Sequence, residues 1–187
     1  FRLGNVDFNT FQEWLVAHPE MYADTQFKPE HFTRRHFNLS GLKPLVDEAK
    51  KDGLELPISR VVCCTSMRDD EIVVNMTRET HVNGVNRDDL TRAEISTRRQ
   101  IPLLEQFFRK YVPGFADARV VEASPFIGVR ETRVIEGLYT VSLDDVRHGR
   151  KFPDSIGYAS YFVDMHHGSD QGFTFIFPEQ PCQIPLR

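Results

Sequence analysis

This sequence contains one long β-prone stretch with charges inside it, Phe126-Ile-Gly-Val-Arg-Glu-Thr-Arg-Val-Ile-Glu-Gly-Leu-Tyr-Thr140. Its β-branched and apolar residues, with glycines near both ends, predict one long strand. A strand inside a sheet seldom carries two arginines and two glutamates without a use for them. Because Arg130 and Arg133 are three residues apart, strict alternation places them on opposite faces. Gly128 marks either a bulge or a place where a backbone or a ligand comes close.

Length and composition are those of a globular domain with a core. The chain has 187 residues, of which 40% are hydrophobic and 27% charged, so we expect a single domain over 1–187. The net charge of −4 gives the chain as a whole no attraction to nucleic acid or to an acidic membrane surface. No stretch approaches the roughly 18 apolar residues of a membrane span. Nucleic acid and membrane are therefore not expected partners.

The three cysteines fit neither a disulfide framework nor a zinc site. Two of them are adjacent in the apolar run Val61-Val62-Cys63-Cys64, so we expect at least one to be buried. This usage favours a reducing, cytoplasmic location. The chain opens at Phe1 without a signal-peptide pattern, and we interpret it as part of a longer protein.

Periodicity and turn residues along the chain predict helices packed on a mostly antiparallel or mixed β-sheet, an α+β fold. Strands are predicted at 1–8, 60–67, 71–77, 119–122, 126–140, 155–163 and 173–177. Helices are predicted at 9–18, after Pro29, from 40 to 53, from 91 to 111 and from 142 to 149. The runs 60–67 and 71–77 are expected to pair as a hairpin.

Helix caps follow from short polar residues ahead of apolar runs. Asn9 or Thr10 is the expected cap of the first helix, and Ser40 that of the 40–53 helix. Thr91–Glu94 and Ser142–Asp145 both have the spacing of a capping box. Pro102 lies inside the 91–111 helix, where a kink or a break is expected.

Asp164 and His166 are the first candidates for acid–base chemistry. They lie two residues apart at the end of a predicted strand, so they share a face. A carboxylate beside an imidazole orients it and raises its pKa, which suits proton transfer. The alternative is a capped strand end with exposed histidines. A metal site would need a third ligand, which no helical histidine motif supplies.

Two interpretations are possible for the two arginines of the 126–140 stretch. Arg130 and Arg133 either pair internally with Glu131, Glu136 or Asp145, or clamp a carboxylate and stabilise an anion. The residues alone leave both open.

Further polar groups come from Asn75 and Arg78, after the second hairpin strand, and from Tyr139. Tyrosines in strands more often pack than bind. The chain has no Gly-x-Gly-x-x-Gly, no Walker loop and no Gly-x-Ser-x-Gly elbow, so it contains no recognisable element for cradling a dinucleotide or a phosphate.

The order and spacing of several segments are informative from about residue 39 onward. These segments are Asn75–Arg78, Asp89–Glu94, Arg98–Gln100, Pro113–Phe115, Ile127–Arg133, Gly137–Tyr139, Asp144–Asp145, Phe152–Ile156, Asp164–His166 and Ile184–Pro185. Together they resemble the middle of the FAD-dependent oxidoreductases of the glutathione-reductase-like flavoprotein group. The resemblance implies a substrate domain inserted between nucleotide-binding segments.

The resemblance also implies a cofactor, a substrate and roles for residues. FAD would be held by the FAD-binding domain of the same full-length chain and not retained by these residues alone, which we expect to be colourless and inactive. The substrate would be a small molecule, and its hydride would pass to the flavin. We assign the base to His166, held by Asp164, and anion stabilisation to Arg130.

The remaining candidate residues are given contact roles. Gly128, Arg130 and Arg133 are expected at the cofactor, and Asn75, Arg78 and Tyr139 at the substrate. Two other functions stay open. One is a non-catalytic module that binds a small anionic ligand or a partner, and the other is a metal-dependent hydrolase that uses Asp164, His166 and His167.

Overall fold

A computed structural model describes residues 1–22, 36–166 and 173–186. The chain forms two compact units, Phe1–Arg130 and Glu131–Arg187. Helices and a mostly antiparallel sheet confirm the α+β prediction. The single domain over 1–187 remains a prediction, because two compact units can belong to one folding domain or to two. The helix predicted after Pro29 lies outside the described residues.

In its described residues the first unit holds a five-stranded antiparallel sheet, three α-helices and a short 3-10 helix, Pro19–Met21. The strands are β1 (Arg2–Gly4), β2 (Asn38–Gly41), β3 (Val61–Thr65), β4 (Ile72–Val74) and β5 (Arg119–Glu122), and the helices are α1 (Phe8–Ala17), α2 (Lys43–Lys51) and α3 (Arg87–Tyr111). The sheet order is β2-β3-β4-β1-β5. β3 and β4 pair in antiparallel register, with Cys63 opposite Val74, so the predicted hairpin is confirmed.

The helix caps in this unit differ from the predicted ones. Asp7 caps α1 by accepting hydrogen bonds from the amides of Asn9 and Thr10. Ser40 lies in β2, and α2 instead follows Leu42, whose φ of 55° is left-handed, with Pro44 in the first turn. Ser40 lies in β2, three residues before the first residue of α2, so it cannot take the position of the helix cap.

Helix α3 begins one turn before the predicted capping box. Asn86 caps it by accepting from the amides of Asp88 and Asp89. Acidic residues in the first turn favour that start, because they complement the positive end of the helix dipole. Thr91 therefore lies inside the helix and donates to the Arg87 carbonyl at 2.9 Å. A kink or a break was predicted at Pro102; the break is absent, since α3 runs unbroken over 25 residues, and the kink stays a prediction.

The core of the first unit lies among these elements. Its largest fully buried side chains include Phe11, Phe107, Phe108, Phe115 and Leu104. Phe11 and Phe115 make an edge-to-face contact with centroids 5.1 Å apart. Cys63 is 2% exposed, which confirms that a cysteine of the apolar run is buried. Among the described residues all three cysteines are free thiols.

The described part of the second unit contains one short helix and two separate strand pairs. The helix is α4 (Leu143–Arg147), and the strands are β6 (Ser155–Ala159), β7 (Val163–His166), β8 (Phe173–Ile176) and β9 (Cys182–Pro185). β6 pairs with β9 and β7 with β8, both antiparallel. The capping box of Ser142 and Asp145 is present, as predicted. The strand predicted over 155–163 is two strands, and β9 was not predicted because prolines flank and end it.

The long strand predicted over 126–140 is wrong. Within the described residues this stretch contains no strand, and most of it is exposed. A β-prone sequence forms a strand only where a neighbour pairs with its backbone and packs on its side chains. Residues 131–138 make no hydrogen bond or ion pair with any other described residue. The argument that placed Arg130 and Arg133 on opposite faces is therefore lost with the strand.

Candidate functional site

Helix α3 holds the polypeptide that leaves β4. The Arg78 amide donates to Gln100 Oε1 at 2.8 Å, and Gln100 Nε2 donates back to the Arg78 carbonyl at 2.8 Å. The Asn75 amide donates to the Val62 carbonyl at 2.9 Å. The main chain at both ends of Asn75–Arg78 is thus fixed, while the Asn75 side chain stays exposed. This arrangement brings one predicted substrate segment onto α3.

One turn earlier, α3 holds the backbone at the start of the 126–140 stretch. Arg98 Nε donates to Glu94 Oε1 at 2.6 Å, and its Nη2 donates to the Ser124 and Pro125 carbonyls at 3.0 and 3.3 Å. Glu94 Oε2 accepts the Ile127 amide at 3.0 Å. Glu94 therefore positions the backbone just ahead of Gly128 and does not cap the helix.

Gly128 and Arg130 follow this anchor, and both are exposed. A Cβ placed on Gly128 would meet no atom within 4 Å. The sequence predicted that a backbone or a ligand comes close to Gly128. No described part of the chain does so. The backbone there is open to a ligand or to another polypeptide.

An open cleft of about 810 Å3 lies along α3 in the same unit. It is lined by Glu55, Leu56, Pro57, Asp88, Thr91, Arg92, Ile95, Ser96, Arg99, Gln100 and Leu103. Its volume lies within the range of about 300–1,000 Å3 of small-molecule sites. Gln100 links it to the Asn75–Arg78 segment. Sequence reasoning missed this cleft, although the spacing of three and four residues along α3 shows its floor as a helix stripe.

In the second unit, Arg133 is exposed and makes no ion pair with any described residue. Asp145, one partner suggested for the two arginines, instead pairs with Arg150, whose Nη1 lies 2.9 Å from its Oδ1. Neither Glu131 nor Glu136 has an ion pair in the described part of the chain. Internal pairing of Arg133 is thus not what the structure shows.

Tyr139 belongs to a polar cluster around the first turn of α4. Its hydroxyl donates to Asp145 Oδ2 at 2.7 Å and accepts from Arg150 Nη1 at 2.5 Å. The hydrogen bond to Asp145 raises the Tyr139 pKa. The Ser142 amide, followed by Tyr139 and Arg150, holds the pKa of Asp145 well below its usual range. Asp145 is 6% exposed. Its hydrogen bonds therefore have a structural role and hold the Tyr139 hydroxyl in place.

Asp164 and His166 lie in β7, opposite Phe175 and Phe173 of β8. The backbone therefore confirms that the two residues stand two apart in an extended strand. Asp164 is half-buried. The side-chain surroundings of His166, and all of His167, lie outside the described residues, so the proton-transfer pair stays a prediction.

The described residues contain neither a candidate metal site nor a candidate membrane-spanning helix. No group of three or more histidine, cysteine, aspartate or glutamate side chains that could hold a metal ion occurs among them. No helix in the described ranges is both long enough and apolar enough to cross a membrane.

Comparison with known proteins identifies one family. A family model described as FAD dependent oxidoreductase matches residues 1–187. No curated protein and no solved structure matches the chain.

Proposed function

The chain belongs to the FAD-dependent oxidoreductase family, and from this premise we propose that it is the substrate-handling part of such an enzyme, within the glutathione-reductase-like group. It orients a small-molecule substrate and assists hydride transfer to flavin. The FAD-binding domain of the same full-length chain holds the cofactor and is the partner of these residues. Three free cysteines support a reducing, cytoplasmic location.

The exposed segment 131–138 is the observation that carries this proposal. It contains a cation without an ion pair among the described residues, Arg133, and three large apolar side chains, Val134, Ile135 and Leu138, that are 88%, 91% and 92% exposed. Covering such exposed apolar groups with another surface lowers the free energy of the system. A cofactor-binding domain is the cover that the family suggests.

The residues of this region fit contact with FAD. An open backbone at Gly128 suits close approach of a planar ring, and the guanidinium of Arg133 suits an anionic group. Each of the two is a separate candidate contact with the cofactor, and no phosphate-cradling motif is present in the sequence. When bound, FAD would supply the acceptor for the hydride, which carries two electrons away from the substrate.

Arg130 is the proposed anion-stabilising residue. The planar donors of a guanidinium match a carboxylate or a developing negative charge. The anchor formed by Glu94 and Arg98 fixes the polypeptide three residues before it. The backbone that leads to Arg130, at the exposed end of the first unit, is therefore held in a defined position.

His166 is the proposed base. A substrate that loses a hydride from carbon also loses a proton from the neighbouring oxygen or nitrogen, and an imidazole can take that proton. Asp164, two residues earlier in β7, would orient the ring and stabilise its charged form. Support for this pair is its placement in one extended strand.

Asn75, Arg78 and Tyr139 are the proposed substrate contacts. The exposed side chain of Asn75 is available to a ligand, and the Arg78 backbone is held in place by Gln100. The Tyr139 hydroxyl is already engaged by Asp145 and Arg150, so its contact would be made by the ring.

Flavin reduction in the full-length protein tests the base. In a single-turnover absorbance experiment, His166→Ala is expected to slow flavin reduction by about 10²–10⁴-fold. His148→Ala is the matched control, because His148 is exposed and its Nδ1 lies 3.0 Å from the Asp144 carbonyl oxygen. An unchanged rate in His166→Ala would remove the base assignment. The isolated 187-residue chain is expected to be colourless, and a yellow preparation would contradict that expectation.

A further inference from the structure

The cleft along α3 has an ordered floor. Its lining residues on the helix run from Asp88 to Leu103 at spacings of three and four, so they form one stripe of about 22 Å at the helical rise of about 1.5 Å per residue. The opposite side is made by Glu55, Leu56 and Pro57. Both sides belong to the first unit.

Apolar groups make part of this lining. Leu56 is buried, whereas Ile95 is 47% exposed although it belongs to the central turn of the stripe. Leu103 and Pro57 complete the apolar surface. An aliphatic group of a ligand would cover Ile95 and remove its apolar surface from water, which favours binding.

Most polar groups of the cleft are already used by the protein. Arg92 Nη2 donates to Asp89 Oδ1 at 2.9 Å, Arg87 Nε donates to Asp88 Oδ1 at 3.4 Å, and Ser96 donates to Glu79. Gln100 is occupied by the Arg78 main chain. These groups hold the walls and leave little capacity for a ligand.

Two charges of opposite sign remain. Arg99 and Glu55 both line the cleft and are exposed, and neither has an ion pair or a side-chain hydrogen bond within the described part of the chain. They also do not pair with each other. A ligand that carries both an anionic and a cationic group would satisfy both, whereas an anion or a cation alone would leave one of them unmatched.

We propose that this cleft binds a small aliphatic zwitterion of the α-amino acid class. The carboxylate lies on the Arg99 guanidinium, which can hold it through two parallel hydrogen bonds. The ammonium lies on the Glu55 carboxylate, and the aliphatic side chain covers Ile95. The inference does not rest on the proposed function, because binding involves neither flavin nor a reaction.

Calorimetric titration of the whole chain with three probes of similar shape tests the proposal. L-leucine carries both charges, isocaproate only the carboxylate and isoamylamine only the ammonium. L-leucine is expected to bind about tenfold more tightly than either of the others, since one charge-assisted hydrogen-bonded contact changes affinity by about that factor.

Substitutions separate the two contacts. Arg99→Gln should weaken L-leucine and isocaproate by about tenfold and leave isoamylamine unchanged. Glu55→Gln should weaken L-leucine and isoamylamine and leave isocaproate unchanged. Arg119→Gln, an exposed residue of β5 outside the cleft, is the matched control and should change nothing. Because all three sites are exposed, unchanged melting temperatures will show that the variants fold.

Three results would overturn the proposal. These are the absence of L-leucine binding at millimolar concentration, equal affinity for L-leucine and isocaproate, and an affinity for L-leucine that neither Arg99→Gln nor Glu55→Gln lowers. The second result would show a site that recognises an anion only. None of these results bears on the flavin-reduction experiment, so the two proposals fail separately.

Discussion

The two units place their apolar residues in opposite ways. Among the described residues, 26 of the 28 buried hydrophobic residues belong to the first unit, and the second contributes only Phe152 and Cys182. Of the 20 large hydrophobic residues that are exposed, 13 belong to the second unit. The first unit therefore has an ordinary core, whereas the second has few buried apolar residues and a hydrogen-bonded polar centre at Asp145.

This difference shows which unit is adapted for contact. A unit that buries its apolar groups is stable by itself, because hydrophobic burial is the main favourable term in folding. A unit with aromatic and aliphatic groups on its surface presents a contact area. Tyr161, Phe175 and Phe177 are 71%, 42% and 57% exposed. This surface supports the proposal that a cofactor-binding domain packs on the second unit.

The largest expected effect comes from one leucine in each unit. Leu104 of α3 is fully buried and Leu138 is 92% exposed. Leu104→Ala should lower the free energy of unfolding by about 2–5 kcal/mol, because it leaves a cavity in a packed core. Leu138→Ala should change it by less than about 0.5 kcal/mol. Urea denaturation of both variants measures the difference. A comparable loss in Leu138→Ala would show that the second unit has a core of its own.

A pair of glycines gives the next effect. Gly114 has φ of 86°, and a Cβ there would lie 2.5 Å from the Asp7 carbonyl oxygen and 3.0 Å from the Phe11 nitrogen. Gly114→Ala should therefore cost about 1–3 kcal/mol. A Cβ on Gly157 of β6 would meet no described atom within 4 Å, and Gly157→Ala should be neutral or slightly stabilising. Thermal melting compares the two, and equal melting temperatures would contradict the tight packing at Gly114.

Local signals allowed much of the fold to be predicted. The α1 and α2 helices, the β3–β4 hairpin and the capping box of Ser142 and Asp145 each depend on residues close in sequence. Such features follow from periodicity, turns and caps. The β-prone stretch 126–140 failed for the opposite reason, because a strand depends on a distant partner that the sequence pattern does not name.

The candidate site was less predictable for the same reason. Glu94 bonds the Ile127 amide 33 residues away, and Gln100 holds Arg78 22 residues away. The sequence showed Glu94 within a capping pattern, but only the fold shows that it faces the backbone before Gly128. The cleft likewise needs α3 and residues 55–57 to meet, which no local pattern reports.

The smallest expected effect concerns the polar centre of the second unit. The hydrogen bonds to Asp145 from Ser142, Tyr139 and Arg150 hold its pKa below the usual range. Because the folded pKa is depressed, Asp145 contributes stability above its unfolded pKa of about 3.9, and this contribution is lost as pH falls through the folded pKa. Asp145→Asn should destabilise α4 at neutral pH and flatten the acid dependence, as measured by the folded fraction from NMR signals of residues 142–147 across a pH series. Asp144→Asn is the control, since Asp144 is exposed and lies 4.0 Å from Arg147. If Asp145→Asn left the neutral-pH signals unchanged, a polar centre would not be what holds the second unit together, and its few buried apolar residues would have to do so.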